Sequence, residues 1–297
     1  MHGDGRFAPS PTGTLHLGNL RTALLAWLFA RSAGGRFLVR MEDLDTGRAR
    51  RAFEDEQLAD LAALGLDWDG PVVRQSERIA LYEEALGALR AQDLLYECWC
   101  TRREIREAAS APHGGLPGGA YPGTCLRLTA AERAERRAAG RPPALRVRAH
   151  AARVAFEDRL AGPVDGVVDD FVVRRNDGAI AYNLAVVVDD AAQGVGEVVR
   201  GVDLLDSTPR QLWLAARLGL RAPRHAHVPL VLGPDGERLA KRHGAVTLAE
   251  RAALGQGAAD VRGELAASVG LAEPGERPSP AELVARLDPD LLRAVPA

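Results

Sequence analysis

The sequence predicts an α/β protein built around a parallel β-sheet. Short apolar segments alternate with helical stretches over residues 1–95, and this β-α-β-α order predicts parallel strands joined by crossover helices. A second run of such elements begins near residue 166, and the chain has no internal repeat. Hydrophobic residues make up 46% of the chain and charged residues 26%, which is the composition of a globular protein with a sizeable core.

The elements of the first run follow from local apolar patterning. In chain order we predict a strand at 7–8, a buried helix at 20–30, a strand at 36–41, a helix at 52–64 and a helix that ends at 90. Pro9 and Pro11 end the first strand, because proline cannot continue a ladder of backbone hydrogen bonds. Ser76 can cap the last helix of the run through its hydroxyl group.

The second run predicts a strand at 167–174, a buried helix at 182–192, a strand at 196–200, a helix at 207–218 and a strand at 228–232. The valines at 186–188 leave a strand as an alternative within the second of these elements. Residues 176–178 and 233–236 are strong turn sequences. We therefore expect four parts: residues 1–95 and 166–232 as two halves of the sheet domain, 96–165 as an insertion, and 233–297 as a loop with a short helical C-terminal region.

Charge and apolar patterning limit the class of protein. The net charge of −2 shows no basic excess, so any RNA contact must be a local patch. No apolar run reaches the roughly 18 residues that a membrane span needs, and the N-terminus has no secretory signal pattern. The odd number of cysteines argues against a disulfide framework. We expect a cytoplasmic protein that is a monomer.

The segment Pro9–Asn19 has the pattern of a phosphate-binding turn. Two prolines stiffen the exit of the first strand, and Gly13 and Gly18 allow close approach of backbone or phosphate. His16 and Asn19 fall at the start of the predicted buried helix, whose N-terminal amides attract anions. The alternative is a proline- and glycine-rich turn that carries a surface histidine.

Two segments resemble the nucleotide-binding motifs of class I aminoacyl-tRNA synthetases. Arg6-Phe7-Ala8-Pro9-Ser10-Pro11-Thr12-Gly13, followed by His16-Leu17-Gly18-Asn19, resembles the HIGH region in its glutamyl/glutaminyl form. Arg238-Leu239-Ala240-Lys241-Arg242 resembles the KMSKS loop, although it departs from that pattern at four of five positions. The resemblance covers about residues 5–250 and implies the Rossmann-like catalytic domain of this family.

The resemblance also implies a reaction and the residues that carry it. An amino-acid carboxylate would attack the α-phosphate of ATP, and pyrophosphate would leave, without a protein nucleophile. The catalytic residues implied are His16, Asn19 and Lys241. The implied ATP contacts are Pro9, Thr12, Gly13, His16, Gly18, Asn19, Leu239 and Lys241, and Mg²⁺ would accompany ATP.

A buried pocket for glutamate needs cations for two carboxylates and an anion for one amine. The resemblance implies substrate contacts from Arg6, Ala8, Ser10, Glu42, Tyr182 and Arg200. Within this set, Glu42 is assigned to the amine and Arg200 to the side-chain carboxylate. Glutamine-specific relatives lack this arginine, and glutamine would leave it buried without a partner. The alternative for each charged residue is a surface salt bridge.

The three cysteines, Cys98, Cys100 and Cys125, cluster in one segment. Three thiolates with one further ligand would form a closed tetrahedral Zn²⁺ site. The resemblance supplies Tyr121 as the fourth ligand, whereas ordinary ligand preference favours His113, and unrelated buried thiols are a third possibility. A structural zinc would stabilise a glycine- and proline-rich insertion that has few apolar residues of its own.

The length of the chain indicates which synthetases it resembles most. Only residues 242–297 follow Lys241, so we expect no anticodon-binding domain. In this the chain resembles glutamyl-queuosine tRNA(Asp) synthetases, a short family that transfers activated glutamate to queuosine at the wobble position of tRNA(Asp). Candidate RNA contacts are Arg102, Arg103, Arg146, Arg148, Arg242 and His243. Three alternatives stay open: a minimal glutamyl-tRNA synthetase that charges a 3′ end, a small-molecule nucleotidylyltransferase, and an inactive paralogue that binds nucleotide or RNA.

Overall fold

The computed structural model describes residues 3–101, 103–105, 120–233, 235, 239, 244, 246–288 and 292. The strands are β1 (Gly5–Phe7), β2 (Phe37–Met41), β3 (Val73–Arg74), β4 (Leu95–Cys98), β5 (Ala144–Val147), β6 (Ala152–Asp158), β7 (Gly162–Val168), β8 (Val172–Arg174), β9 (Glu197–Gly201) and β10 (Arg224–Val228). The helices are α1 (Leu17–Ser32), α2 (Arg51–Ala63), α3 (Ile79–Ala91), α4 (Ala130–Ala138), α5 (Tyr182–Ala192), α6 (Thr208–Leu218), α7 (Leu248–Ala253), α8 (Ala258–Ala267) and α9 (Pro280–Arg286).

Two groups of parallel strands form the centre of the fold. One group has the order β1-β2-β3, and the other has the order β7-β6-β10-β9, in which only β7 runs antiparallel to its neighbour. The groups meet at β1 and β9, because the carbonyl of Asp4 accepts hydrogen bonds from the backbone of Gly196 (2.8 Å) and Glu197 (3.1 Å). The strand order therefore reverses between β1 and β9, and this is where α/β proteins bind ligands. A separate antiparallel sheet has the order β4-β5-β8.

Helix α1 is the central buried helix. Its residues from Ala23 to Ala30 are almost fully inaccessible to solvent, because β1 and β9 cover one side and helices α8 and α9 cover another. The sequence predicted this buried helix, and the structure starts it three residues earlier, at Leu17. The C-terminal helices thus form part of the main core and hold α1 in place.

Most predicted elements are confirmed, and α5 has the predicted bounds. The predicted strand at 167–174 is wrong, because it divides into β7 and β8 at Asp169 and Asp170, whose carboxylates accept backbone hydrogen bonds from Tyr121 and Ala149. The predicted strand at 228–232 is also wrong, since β10 ends at Val228, directly before a proline that cannot donate to a ladder.

The predicted capping role of Ser76 is wrong as well. Its hydroxyl donates to the carboxylate of Asp43, and α3 begins at Ile79 without a side-chain cap. The parallel α/β fold itself is confirmed, and β6 and β7, from the end of the expected insertion, extend the main sheet. None of the helices in the described ranges has the combination of length and apolarity that crossing a bilayer would require.

Two glycines inside helices should respond oppositely to replacement by alanine. A methyl group at Gly263 in α8 would overlap the carbonyl oxygen of Glu276, whereas one at Gly87 in α3 would meet no atom within 4 Å. We expect Gly263→Ala to lower the free energy of unfolding by about 1–3 kcal/mol and Gly87→Ala to raise it by about 0.5–1 kcal/mol. Urea unfolding of both variants checks this, and a Gly263→Ala protein as stable as the unchanged one would contradict the packing described.

Candidate active site

A cavity of about 350 Å³ opens where β1 and β9 diverge. Its walls come from the carboxyl ends of these strands, the loop after β1, the first turn of α1 and residues 229–231. We call it the central cavity. The sequence-predicted residues that line it are Arg6, Ala8, Ser10, His16, Gly18, Glu42, Tyr182 and Arg200.

Arg200, at the end of β9, is a buried cation that neutral groups surround. Its side chain donates hydrogen bonds to acceptors on several elements: His227 Nε2 (3.0 Å), Gln211 Oε1 (2.8 Å), Thr208 Oγ1 (2.8 Å), Tyr182 Oη (3.3 Å) and the carbonyl of Leu204 (3.3 Å). Among the described residues, no carboxylate lies within ion-pair distance of this guanidinium. Burial lowers the pKa of Arg200, so an incoming anion would be strongly favoured.

The partners of Arg200 fall on two sides. Tyr182 and Leu204 line the central cavity. Tyr182 accepts from Nη1 and Leu204 accepts from Nη2, and these are the two longest hydrogen bonds of the group. Gln211, Thr208 and His227 are not among the residues that line the cavity and hold the group from behind. A carboxylate that replaced the two long bonds would meet both terminal nitrogens, which is the bidentate geometry that guanidinium prefers.

The opposite wall of the cavity contains a buried network of charges. Asp190 accepts hydrogen bonds from Arg6 Nε (3.2 Å) and Arg40 Nη1 (2.8 Å). Arg40 is fully buried and also lies 3.6 Å from carboxylate oxygens of Glu42 and of Asp189. Burial would raise the pKa of Asp190, but the charges of both arginines more than offset this and lower it. Arg6 is thereby held at the cavity wall by a carboxylate behind it.

Within the described part of the chain, Glu42 is one of two acidic residues that line the central cavity, with Asp203 as the other. Burial raises the pKa of its carboxyl group, and the positive charges of Arg40 and Arg6 oppose that rise. Its backbone N–H donates to the carbonyl of Pro9 at 2.9 Å, which joins the end of β2 to the loop after β1. A cationic ligand group beside Glu42 would lower the pKa of this carboxyl group and favour its charged form.

His16 is the N-cap of α1 and forms a reciprocal capping pair with Asn19. The Nδ1 atom of His16 accepts from the backbone of Asn19 (3.2 Å), and the side-chain oxygen of Asn19 accepts from the backbone of His16 (3.3 Å). Since Nδ1 is an acceptor, the neutral ring carries its proton on Nε2. Gly18 lies under this ring, and a methyl group there would collide with it. The helix start thus places the His16 ring and Gly18 at the wall of the central cavity, where the positive end of the α1 dipole favours anions.

The chain on both sides of residues 240–243 is anchored beside this helix start. The backbone of Leu239 donates to the carbonyl of Val231 (2.9 Å), and Leu17 donates to the carbonyl of Val246 (2.7 Å). Val231 lines the central cavity. Leu239 and Val246 are therefore both held near the start of α1, while Lys241 lies outside the described residues.

A second cavity of about 550 Å³, the outer cavity, adjoins the first. Ser10, Glu42 and Tyr182 line both cavities. Two exposed arginines, Arg141 and Arg175, also belong to its lining. The shared side chains make the two cavities neighbouring compartments of one cleft.

The three cysteine thiols converge beside the outer cavity, which Cys98 and Cys100 line. Their sulfur atoms lie within 4.8 Å of one another, and the Tyr121 hydroxyl is 3.4 Å from Cys98 Sγ and 3.5 Å from Cys100 Sγ. A tetrahedral zinc with Zn–S bonds of about 2.3 Å separates its thiolates by roughly 3.8 Å, so this donor set fits the ion. The hydrogen bonds among the thiols lower the pKa of Cys98 and raise the pKa of Cys100, so the cluster without a bound cation holds its negative charge mainly on Cys98.

Comparison with known proteins agrees with this geometry. Residues 4–262 match the family of class I tRNA synthetases (E and Q), catalytic domain. A glutamyl-Q tRNA(Asp) synthetase from Nocardia farcinica is 61% identical over 294 residues, which cover 99% of this chain and 92% of that protein. A glutamyl-Q tRNA(Asp) synthetase from Symbiobacterium thermophilum is 54% identical, and the match covers 96% of this chain and 92% of that protein. The chain belongs to the glutamyl-Q tRNA(Asp) synthetase family.

A solved structure is also similar. The crystal structure of a glutamate tRNA ligase from Elizabethkingia meningosepticum, in complex with its amino acid, has a TM-score of 0.83 and 27% identity. The similarity covers 98% of this chain but only 66% of that ligase. The glutamyl-Q family therefore shares the catalytic fold of a ligase that is longer than the present chain.

The structure brings most of the sequence-predicted site residues together. Eight of them line the central cavity, as given above. Pro9, Thr12, Gly13 and Asn19 belong to the adjoining loop and helix start, where Gln57 Nε2 donates to the carbonyls of Ser10 (3.1 Å) and Gly13 (2.8 Å). A methyl group at Gly13 would meet no atom within 4 Å, so the space beside it is open to a ligand. The roles of all these residues remain predictions.

The remaining predicted residues are the metal ligands and the candidate RNA contacts. Tyr121 lies with the three cysteines, whereas His113 is outside the described residues. Arg146, a candidate RNA contact, is buried: its guanidinium stacks 3.8 Å from the centroid of the Tyr121 ring and donates to the carbonyl of Asp170. Arg102, Arg242 and His243 are outside the described residues.

Sequence reasoning missed the side chains that hold the site from behind. These are Arg40, Gln57, Asp158, Asp190, Thr208, Gln211 and His227. Arg40 stands in the middle of an apolar strand, and Asp189-Asp190 ends a buried helix. A charged residue at a position that the periodicity buries is a signal that it needs a partner, but the sequence does not show which one.

Removing Arg40 should destabilise the fold strongly. Arg40→Met leaves Asp190, Glu42 and Asp189 without their shared cation, and breaking a buried pair in this way costs about 3–5 kcal/mol. Arg153→Met is the control, because Arg153 pairs with Asp165 on the exposed surface of the β6–β7 hairpin, where a pair contributes about 0–1 kcal/mol. Thermal and urea unfolding compare the two, and equal losses would rule out the proposed importance of the buried network.

Proposed function

We propose that this protein activates L-glutamate with ATP and transfers the glutamyl group to the queuosine base at the wobble position of tRNA(Asp). The observation that carries the proposal is the buried Arg200 guanidinium. It lines a cavity at the strand-order reversal without a carboxylate partner among the described residues, and Glu42 and His16 line the same cavity. The names of the related proteins support the same reaction and acceptor.

Glutamate fits the charges of the central cavity in one orientation. Its side-chain carboxylate binds the two terminal nitrogens of Arg200, and its ammonium group lies near Glu42. Arg6, held by Asp190, is a cation for the reacting α-carboxylate. Ala8 and Ser10 border the substrate. Glutamine lacks the charge that Arg200 requires, so a buried cation would stay without a counter-ion.

The first chemical step is adenylation. An oxygen of the glutamate α-carboxylate attacks the α-phosphorus of ATP, the bond to the bridging oxygen breaks, and pyrophosphate leaves with the electron pair. His16 Nε2–H is proposed to donate to the phosphate oxygens, and the positive end of the α1 dipole to stabilise their charge. Lys241 is proposed to neutralise charge on the phosphates, and Mg²⁺ is proposed to accompany ATP.

The second step takes place where the two cavities meet. A hydroxyl oxygen of the acceptor nucleoside attacks the carbonyl carbon of the glutamyl adenylate, and AMP leaves. The outer cavity is the approach for this nucleoside, because it shares Ser10, Glu42 and Tyr182 with the central cavity. The exposed Arg141 and Arg175 at its lining can pair with RNA phosphates. We further propose that the protein acts in the cytoplasm, where tRNA is found, as a monomer.

The central test compares amino acids and acceptors. We expect ATP–pyrophosphate exchange with glutamate and not with glutamine, and transfer of labelled glutamate to tRNA(Asp) that contains queuosine. Transfer to tRNA(Asp) without queuosine, or to the 3′ end of tRNA(Glu), would support a minimal glutamyl-tRNA synthetase instead. If no amino acid supports pyrophosphate exchange, the result would favour an inactive paralogue.

The variant that sharpens this test is Arg200→Met. It should raise the KM for glutamate by about 30-fold or more, because losing a buried charge-assisted pair costs about 2–5 kcal/mol. Arg217→Met, on the exposed side of α6 over Trp213, is the matched control and should leave the KM unchanged. A normal KM for glutamate in Arg200→Met would exclude the proposed orientation.

We propose one structural zinc per chain, held by Cys98, Cys100, Cys125 and Tyr121. The backbone N–H of Cys125 donates to the Tyr121 oxygen at 2.8 Å, which stabilises negative charge on that oxygen. Elemental analysis should find one zinc in the unchanged protein and none in Cys98→Ala. Tyr121→Phe should weaken zinc retention against a chelator by at least about 10-fold, and His113→Ala should not. The reverse ranking would assign the fourth ligand to His113.

A further inference from the structure

His227 lies behind Arg200 on β10, and its side chain is fully buried. The Nε2 atom accepts a hydrogen bond from Arg200 Nε at 3.0 Å, and Nδ1 lies 2.6 Å from Asp158 Oδ2 at the end of β6. Asp158 is itself fully buried. The three side chains form a chain, Asp158–His227–Arg200, that runs from the sheet to the cavity wall.

The neighbours of Asp158 determine which ring nitrogen carries the proton. Its Oδ1 accepts three backbone hydrogen bonds, from Leu160 (3.0 Å), Ala161 (2.9 Å) and His227 (3.1 Å). Burial opposes ionisation, but these bonds and the one from His227 lower the pKa of Asp158 to about 2. The group is therefore a carboxylate, Nδ1–H donates to Oδ2, and the lone pair of Nε2 is left to accept from Arg200.

We propose that Asp158 and His227 are positioning residues for the amino-acid substrate, and that they hold the Arg200 guanidinium so that both terminal nitrogens are presented to a carboxylate. The inference rests on the proposed function, since it deepens the account of the same pocket. Arg200 Nε is held from behind by His227, while the bonds on the cavity side are the long ones to Tyr182 and Leu204. A fixed Nε determines the rotation of the planar group, which a bidentate pair requires.

The neutral ring between the two charges has a physical purpose. A carboxylate in direct contact with Arg200 would compete with the substrate carboxylate for the same cation. The imidazole transmits the field of Asp158 over a longer distance and leaves the charge of Arg200 available. The arrangement resembles the way an outer carboxylate orients a histidine through its second ring nitrogen.

The surroundings of His227 keep its ring neutral. Burial lowers the pKa of His227, and the positive charges of Arg200 and Arg6 act in the same direction, while Asp158 opposes them. His225, whose ring stacks 6.0 Å away, is also held neutral by burial, although Asp190 lies near enough to oppose this. Thr208 Oγ1 is 3.3 Å from His227 Nε2. A protonated ring would place an N–H donor against the N–H of Arg200.

Asp158→Asn tests this chain at nearly constant shape. The three backbone N–H groups need an acceptor, so the amide oxygen of asparagine must take the place of Oδ1 and its NH₂ group must face His227 Nδ1. The ring must then move its proton to Nε2, where it opposes Arg200 Nε–H. A tautomer change of this kind alters function with little change in geometry.

Two replacements of His227 test its hydrogen bonds to Asp158 and to Arg200 separately. Asparagine places a donor near the position of Nδ1 but leaves nothing at Nε2, whereas glutamine can place an acceptor near Nε2. We expect Asp158→Asn and His227→Asn each to weaken glutamate binding by roughly 10-fold or more. The effect should be seen in the Kd of glutamate, measured by calorimetry, and in its KM in pyrophosphate exchange. The KM for ATP should stay within about 2-fold of that of the unchanged protein. His227→Gln should stay within about 3-fold of the unchanged protein.

Asp170→Asn is the matched control, because Asp170 is a buried carboxylate that accepts from Tyr96 Oη and the backbone of Ala149 and does not contact Arg200. It should lower thermal stability without changing the Kd of glutamate. If Asp158→Asn behaves like this control, the pair is only part of the core and the proposal is overturned. If the unchanged protein binds no glutamate, the proposed function fails, and the positioning role fails with it.

Discussion

The wall of the central cavity depends on Asp190, a buried carboxylate between two buried arginines. It joins α5 to β1 through Arg6 and to β2 through Arg40, so three elements meet at one charge. A buried arginine without an anion would cost several kcal/mol, and Asp190 is the counter-ion of both Arg6 and Arg40. Because Arg40 is already bound to Asp190, it engages Glu42 only loosely, at 3.6 Å. Glu42 is thereby left able to receive a second cation.

The two walls of the cavity are complementary in charge. On one side, Glu42 is an anion with an incomplete set of cations. On the other, Arg200 is a cation whose described partners, His227, Thr208 and Gln211 among them, are all neutral. A ligand with an ammonium group at one end and a carboxylate at the other completes both sides. In the proposed function, the selectivity of the pocket comes from these charges, which the protein leaves unbalanced on opposite walls of the cavity.

The nucleotide half of the site is built differently, from helix packing and caps. His16 and Asn19 fix the start of α1, and α8 and α9 pack against that helix. Val246 and Thr247 pair with residues 16–17, so the segment that leads into α7 lies beside the start of α1.

The sequence alone determined most elements outside the expected insertion, the two nucleotide motifs and eight of the residues that line the cavity, because periodicity, turns and motif spacing depend on neighbours in the chain. It misplaced β10 and the break between β7 and β8, where side-chain acceptors and a proline override strand propensity. Only the tertiary structure decided the partners: Asp190 and Arg6 are 184 positions apart, and His227 and Asp158 are 69 apart. Local patterning shows that a buried charge needs a counter-charge, but only the packed strands determine which distant residue supplies it.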